Sequence, residues 1–329
     1  MTDQSNAEWM EWASYNLALG VGAEKIVDEL KHNGFEAGRA RSLVTDIQHH
    51  PIFNAAKKLG GDVQKWESLS EALLELASQR VDLNSVPRVR GLSSEAFHEH
   101  YYSRNLPVLI EDAAHCWPAL TKWTNAYLKE TYGDCIVTYQ DRGTSSDHRD
   151  SFIDHSARIA FSEYIDRVEH AGESNACYLI AHDRLLDRPE FASLLDDIAF
   201  DERYLDPIGP VGKVFFWLGP KGAKTPLHRD LGNVFLVQVR GRKRVNFIPA
   251  LEMHKVYNSF GYHSDLDLDD YDPKQFPRMA KAHVSTTVVS AGDMLFIPVG
   301  WWHHVVAIDE CISITGNNFK FPNAFTKIF

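Results

Sequence analysis

Thr225-Pro226-Leu227-His228-Arg229-Asp230, taken with Trp301-Trp302-His303 far downstream, decides how this chain is read. In an extended strand alternate side chains share a face, so His228 and Asp230 reach toward one ion while Arg229 points away. Two imidazoles and one carboxylate form the set that holds a ferrous ion on one side and leaves the other side open. The flanking sequence reads as strand. Val214-Phe-Phe-Trp-Leu218 runs into the turn Gly219-Pro-Lys-Gly222, and Val234-Phe-Leu-Val-Gln-Val239 runs toward Gly241-Arg-Lys243; both are rich in β-formers bounded by turn residues. The third candidate ligand follows a short apolar run, Met294-Leu-Phe-Ile-Pro298, introduced by Ala291-Gly-Asp293 and closed by the double tryptophan. A lone His-x-Asp pair is weak on its own and is often a surface strand end. A second histidine behind a buried strand, and Lys243 on a neighbouring one, favour convergence of distant strands on one ion.

With these residues assembled, the chain resembles the JmjC-type oxygenases of the cupin superfamily, in particular the factor-inhibiting-HIF asparaginyl hydroxylase-like group with its arginyl and tRNA-wybutosine hydroxylase relatives. The likeness rests on TPLHRD (225–230), FLVQVRGRKRVNFIP (235–249), GDMLFIPVGWWHHV (292–305) and ISITGNN (312–318). It extends upstream through Pro107-Val-Leu-Ile110, Trp117-Pro-Ala-Leu-Thr-Lys-Trp123 and Cys177-Tyr-Leu179, so that it covers most of the chain from residue 85 onward. The resemblance implies a mainly β fold with α: a double-stranded β-helix, the jelly roll of cupin and JmjC proteins, with flanking helices. The expected catalytic domain is 83–329, behind a small N-terminal helical region, 1–82.

Carried over by position, the resemblance implies His228, Asp230 and His303 as the metal ligands and catalytic centre. The family's ligand directly follows the aromatic pair, which selects His303 over His304 and leaves His304 a supporting role. The implied co-substrate is 2-oxoglutarate, with Lys243 at its far carboxylate, Thr225 and Tyr178 as hydroxyl partners, and Trp217 as an apolar wall or an ordinary core tryptophan. A fixed cation beside such donors suits a carboxylate. Asn317 matches an amide near the metal end of the co-substrate. One position departs from the pattern: Val234 stands where relatives often carry Asn, and Asn233 lies one residue earlier. An offset of one reverses side-chain direction, so Asn233 substitutes only if a bulge intervenes. The implied reaction consumes Fe(II)-bound 2-oxoglutarate and O2, releases succinate and CO2, and hydroxylates a substrate carbon; where that carbon bears nitrogen, the outcome is demethylation.

The chain has 329 residues, is 44% hydrophobic and carries 34 basic against 45 acidic residues, for a net charge of −11. That is ample for one large domain and a small accessory one. The negative balance argues against a general nucleic-acid scaffold and leaves basic peptides as substrates. Cys116, Cys135, Cys177 and Cys311 show no Cys-x-x-Cys spacing, which points to reduced thiols rather than a zinc knuckle or disulfide scaffold. No signal-peptide pattern opens the sequence and no 18-residue apolar run occurs, so a cytoplasmic location is expected and a membrane partner is not.

Before residue 83 the pattern changes. Trp9, Trp12, Leu17 and Leu19 precede Gly20-Val-Gly22; Ile26, Val27 and Leu30 precede Asn33-Gly34; Ala40, Leu43, Val44 and Ile47 precede Pro51. This predicts several short amphipathic helices with Gly and Pro stops, serving as a cap or as a partner or dimerisation surface. A capped helix is expected over Ser94–Tyr102, helices over about 182–210. The acidic run Asp265-Leu-Asp-Leu-Asp-Asp-Tyr-Asp272 reads by default as a solvated loop; the resemblance implies that this insert lies near the substrate mouth, where it would help attract a cationic peptide. Only ten residues follow Phe319, too few for the C-terminal helices through which the asparaginyl hydroxylase of the resembled group dimerises, so any dimer is expected to use another surface, such as the N-terminal helices. The leading expectation is hydroxylation of a protein or peptide side chain. The alternatives are the same chemistry on a free amino acid, natural-product intermediate or modified tRNA base, and a cupin that binds metal without oxidation.

Overall fold

Alternation between two sheets organises the larger part of the molecule. The computed structural model describes residues 3–111, 113–143, 155–199, 201–206, 213–258, 261–323 and 325, with side chains from residue 7. The chain separates into two compact units, Met1–Gln79 and Arg80–Phe329.

In the first unit lie α1 (Asp3–Ala18), α2 (Ala23–His32), α3 (Ala37–His49) and α4 (Pro51–Ser78). Leu17, Ile26, Val27, Leu30, Val44, Ile47 and Phe53 form its core, which is the helical spacing visible in the sequence. Glu36 caps α3 by accepting hydrogen bonds from Gly38 N and Arg39 N, each at 2.9 Å, satisfying two amides the helix leaves open. The fourth helix departs from expectation. Pro51 occupies its first turn, where a missing N–H costs nothing, so the proline opens a new helix as well as ending the last. This helix also runs through Gly60-Gly61 for 28 residues. At Gly60 a Cβ would come within 2.7 Å of Ala18 O, so glycine there lets the end of α1 approach closely.

The second unit begins with β1 (Arg88–Val89), α5 (Ser94–Phe97), β2 (Val108–Ile110), α6 (Ala119–Lys122), α7 (Asn125–Tyr132), β3 (Ile136–Asp141), β4 (Ser156–Ala160), α8 (Phe161–His170) and β5 (Cys177–Tyr178). Among the described residues eight strands follow: β6 (Val214–Gly219), β7 (Lys224–Arg229), β8 (Val234–Arg240), β9 (Lys243–Ile248), β10 (Ser285–Val289), β11 (Met294–Ile297), β12 (Trp302–Ala307) and β13 (Cys311–Gly316). They sort into a larger sheet ordered β1-β2-β11-β8-β13-β6 and a smaller one ordered β10-β9-β12-β7. Apart from β1–β2, the pairs in these sheets are antiparallel. Strands from both sheets line one cavity, as in a cupin-type jelly roll. A third sheet, β4-β3-β5, flanks them.

Strands β6, β8 and β11 of the larger sheet divide their side chains between two environments. Val214, Phe216 and Leu218 on β6, Phe235, Val237 and Val239 on β8, and Met294 and Phe296 on β11 turn to a core shared with the helices. Phe215, Trp217, Val234, Leu236 and Ile297 turn to the cavity. The outer face of the smaller sheet is covered by the connection between β9 and β10: Leu227, Ile248 and Trp302 pack there with Val256, Leu266 and Met279. Ser93 caps α5 by accepting from Ala96 N at 3.1 Å, and the helix continues as a wider π turn over His98–Tyr102. The segment expected to be helical over 182–210 instead forms short 3-10 turns, Ala181–Asp183, Leu185–Asp187 and Pro189–Asp197; Phe200 and residues 207–210 lie outside the described residues. The thiols divide by burial: Cys177 and Cys311 are buried, Cys135 is half-buried and Cys116 is exposed, all of them free.

Phe97 is the hub of the helix-side core. It is fully buried, with ring centroids 5.0 Å from Tyr204 and Phe296 and 5.4 Å from Phe235. Phe97→Ala is expected to lower unfolding free energy by about 3–5 kcal/mol, as for a large cavity in a packed core. Urea unfolding of the two proteins measures the difference.

Candidate metal and carboxylate site

The site begins with a cross-strand pair. On antiparallel β7 and β12, His228 stands directly opposite His303, and the ring centroids are 4.1 Å apart. Asp230 follows two residues after His228 and returns to the same face. Ligand atoms from the three residues all lie within 4.8 Å of one another. Each imidazole is oriented from behind: His228 Nδ1 donates to Pro226 O at 2.8 Å and His303 Nδ1 donates to Trp301 O at 3.0 Å. A proton fixed on Nδ1 leaves the lone pair on Nε2. The two Nε2 atoms are 3.8 and 3.6 Å from the Asp230 carboxylate oxygens, too far for hydrogen bonds. Burial, and then the neighbouring His303, hold the His228 pKa well below the usual imidazole range, so its ring is neutral and its lone pair free at pH 7. Among the described residues, the Asp230 carboxylate meets only these two imidazoles as ionic partners. Two aimed lone pairs and an anionic oxygen without a lysine or arginine fit a divalent metal.

A bulge extends this face. His303 pairs with His228, but Val305, two residues on, pairs with Thr225, three residues back. The extra residue falls at Pro226-Leu227, where proline has no amide to offer the ladder. Without the bulge Thr225 would face away from His228. With it, Thr225, His228 and Asp230 all line the cavity.

Lys243 enters from β9. It pairs with Ala307, while His303 pairs with Phe247, so it shares the cavity face four residues from the metal end, about 13 Å along the strand. Its side chain is 2% exposed, and its ammonium donates to Tyr178 Oη at 3.0 Å. Among the described residues no carboxylate reaches it. A buried, unneutralised ammonium is costly, and a bound anion removes that cost. The cavity between the two ends has a volume of about 380 Å³, suited to a small molecule.

The remaining expected residues also gather here. Trp217 lines the cavity, packs against Tyr178 at 5.8 Å and donates from Nε1 to Thr315 Oγ1 at 2.9 Å; it is a wall rather than a helix-side core residue. Asn317 lines the same cavity. Asn233 reaches the lining too, but its side-chain oxygen accepts from Val299 N at 2.7 Å, and the register of β8 with β11 carries no bulge at this point. Asn233 therefore anchors the turn ahead of Trp301. Sequence reasoning missed Thr315 and His263, whose ring stacks on that of His228 at 5.4 Å. Thr315 sits within a quoted motif, in register with Phe215 on β6, and alternation along β13 was the signal for it. His263 arrives on a long connection and left none.

A second group of ligating atoms, Asp267, Asp269 and His304, lies within 4.8 Å, on the outer face of the smaller sheet. Lys224 is 2.9 Å from Asp267 and 3.5 Å from Asp269, and Arg244 is 2.9 Å from Asp269. Two cations already balance the two carboxylates. This network also corrects the reading of the acidic run: these carboxylates clamp the β9–β10 connection to the back of the sheet and do not face the cavity.

A family model described as a cupin-like domain matches residues 93–323, and the chain belongs to that family. It is 30% identical to lysine-specific demethylase 8 of Xenopus tropicalis over 70% of this chain and 52% of that protein. It is 29% identical to lysine-specific demethylase JMJ30 of Arabidopsis thaliana over 73% of this chain and 55% of that protein. It is 28% identical to tRNA wybutosine-synthesizing protein 5 of Mus musculus over 70% of this chain and 76% of that protein. The chain thus spans just over half the length of the two demethylases. The likeness to the asparaginyl hydroxylase group rests on the sequence motifs alone.

The two clusters are separable by substitution. Asp269→Asn is expected to lower unfolding free energy by about 1–2 kcal/mol through weakened charged hydrogen bonds, with divalent-metal uptake in equilibrium dialysis unchanged. Loss of metal from that variant would move the metal site to the outer face.

Proposed function

We propose that this member of the cupin-like domain family is an Fe(II)- and 2-oxoglutarate-dependent dioxygenase that hydroxylates a protein or peptide side chain, with residues 83–329 as its catalytic part. The observation that carries the reading is the pairing, in one cavity, of an uncompensated metal-ligand triad with a buried, uncompensated lysine. A metal-binding cupin without a keto-acid partner has no use for Lys243, and that disfavours the non-oxidative alternative.

In this reading His228, Asp230 and His303 hold iron, and with 2-oxoglutarate and O2 the iron supplies the oxidising power for C–H hydroxylation, with succinate and CO2 released. The chain's own residues position and enclose. Lys243, Tyr178 and Thr225 fix the far carboxylate of the co-substrate, and a cation with two hydroxyls gives direction as well as charge. Trp217, Leu236, Ile297 and Val305 line the cavity with apolar surface and exclude water from it. Asn317 orients the co-substrate at its metal end. The side chain of Asp230 is 34% exposed, so the triad opens toward solvent on that side, where a macromolecular substrate can present a side chain.

The names of the relatives support two variants of this chemistry. Oxidation of a carbon attached to nitrogen would end in demethylation of a lysine, and a tRNA base is the substrate suggested by the wybutosine-synthesising relative. A net charge of −11 favours a cationic peptide over a polyanion.

Anaerobic addition of Fe(II) and 2-oxoglutarate is expected to produce a weak visible charge-transfer band, and aerobic incubation with a substrate library is expected to yield succinate and a product heavier by one oxygen. His228→Ala or Asp230→Ala should abolish succinate formation. Lys243→Ala should raise the 2-oxoglutarate requirement by about 10–100-fold, the loss of a charged hydrogen bond to a carboxylate. Full activity in either ligand variant refutes the assignment.

A further inference from the structure

The helix α4 presents an apolar seam that nothing in its own four-helix unit covers. Only Phe53 and Leu74 are buried in its 28 residues. Leu59, Val63, Trp66, Leu69, Leu73 and Leu76 are between 44% and 69% exposed. They recur at intervals of four, three, three, four and three residues, close to the three-and-a-half-residue period of a seam that faces another helix. Trp66, near the middle, is 68% exposed. Isolated exposed leucines are ordinary, but a continuous stripe with a central tryptophan marks an interaction surface.

The charges on this helix identify the partner. From Pro51 to Lys65 it carries Lys57, Lys58 and Lys65 against one acidic residue, Asp62; from Trp66 to Ser78 it carries Glu67, Glu71 and Glu75 and no basic residue. The first turn has no acidic residue and the last turn has no basic one. This polarity opposes the helix macrodipole, which favours anions at the N-terminus and cations at the C-terminus, so it does not serve the helix in isolation. A second copy of the same helix laid antiparallel corrects the mismatch. It brings the glutamates of each copy beside the lysines of the other and opposes the two dipoles. A parallel pair would set three glutamates against three glutamates. About a two-fold axis at Trp66, Leu59 meets Leu73 of the other copy, Val63 meets Leu69, and Lys57 meets Glu75. The six exposed side chains offer on the order of 600–700 Å² per copy, approaching the roughly 800 Å² per partner of a standard specific interface, and the stems of the flanking lysines and glutamates add to it.

We infer that α4 is a homodimerisation element, pairing antiparallel with α4 of a second copy of this chain about a two-fold axis through Trp66. The interface is isologous, closes at two copies and leaves no free seam for further growth. It is independent of the iron chemistry.

Sedimentation velocity of the full chain tests this, and a dimer at micromolar concentration is expected. Trp66→Glu, at an exposed position that leaves the four-helix core intact, appears twice in a two-fold pair and should weaken the dimer by roughly a thousandfold or more, with the circular dichroism spectrum unchanged. Direction is read from cysteine pairs, in a chain whose exposed Cys116 is changed to serine. Mixing Leu59→Cys with Leu73→Cys should give a crosslink between the two variants that exceeds the crosslinks within either one. A monomeric wild-type chain, a dimer indifferent to Trp66→Glu, or crosslinks only between identical positions would each overturn the inference.

Discussion

The register between β7 and β12 is the constraint on which the site depends. Because His228 and His303 are direct partners across an antiparallel ladder, two residues far apart in sequence share one face, and the hydrogen-bond ladder maintains their spacing whether or not an ion is present. A slip of one residue would turn His303 outward and bring His304 in. His304 would then meet the cavity, while the outer cluster of Asp267 and Asp269 would lose its buried imidazole. The packing of Trp302 behind the sheet, with Leu227 and Ile248, opposes that slip, since a large apolar side chain would have to leave its core.

The bulge at Pro226-Leu227 adds the second element. It spends one residue of ladder and gains Thr225 on the cavity face, so one short strand contributes to both ends of the site. Lys243 then depends on the same sheet, through β9 and β12. The triad and Lys243 are therefore fixed relative to one another by backbone hydrogen bonds rather than by loops, the rigid arrangement that positioning of bound groups calls for.

Legibility in the sequence followed how local each signal was. His228 and Asp230 are two residues apart, and strand periodicity alone puts them together; the buried run ahead of His303 and the turn residues around β6 and β8 were equally local. Thr225 was not, because three residues along a strand means the opposite face unless a bulge is known; its role came from the resemblance. The long insertion that delivers His263 and folds the acidic run behind the sheet carries no periodic pattern, so its direction could not be read. α4 was obscured by Gly60-Gly61, which propensity treats as a break, whereas close approach of the α1 terminus gives Gly60 a packing reason to be there. The 3-10 turns after residue 181 had helix-like composition, and the first two of them pack against β6, a tertiary contact that no local pattern announces.

The central claim is that one cavity takes a metal at the triad and a carboxylate at Lys243. A crystal structure obtained with Mn(II) and 2-oxoglutarate, with anomalous scattering recorded at the manganese edge, tests it most directly. The account predicts one anomalous peak bounded by His228 Nε2, His303 Nε2 and the Asp230 carboxylate, and a carboxylate of the keto acid on Lys243 Nζ. Manganese beside His304, or a diacid bound away from Lys243, would contradict it.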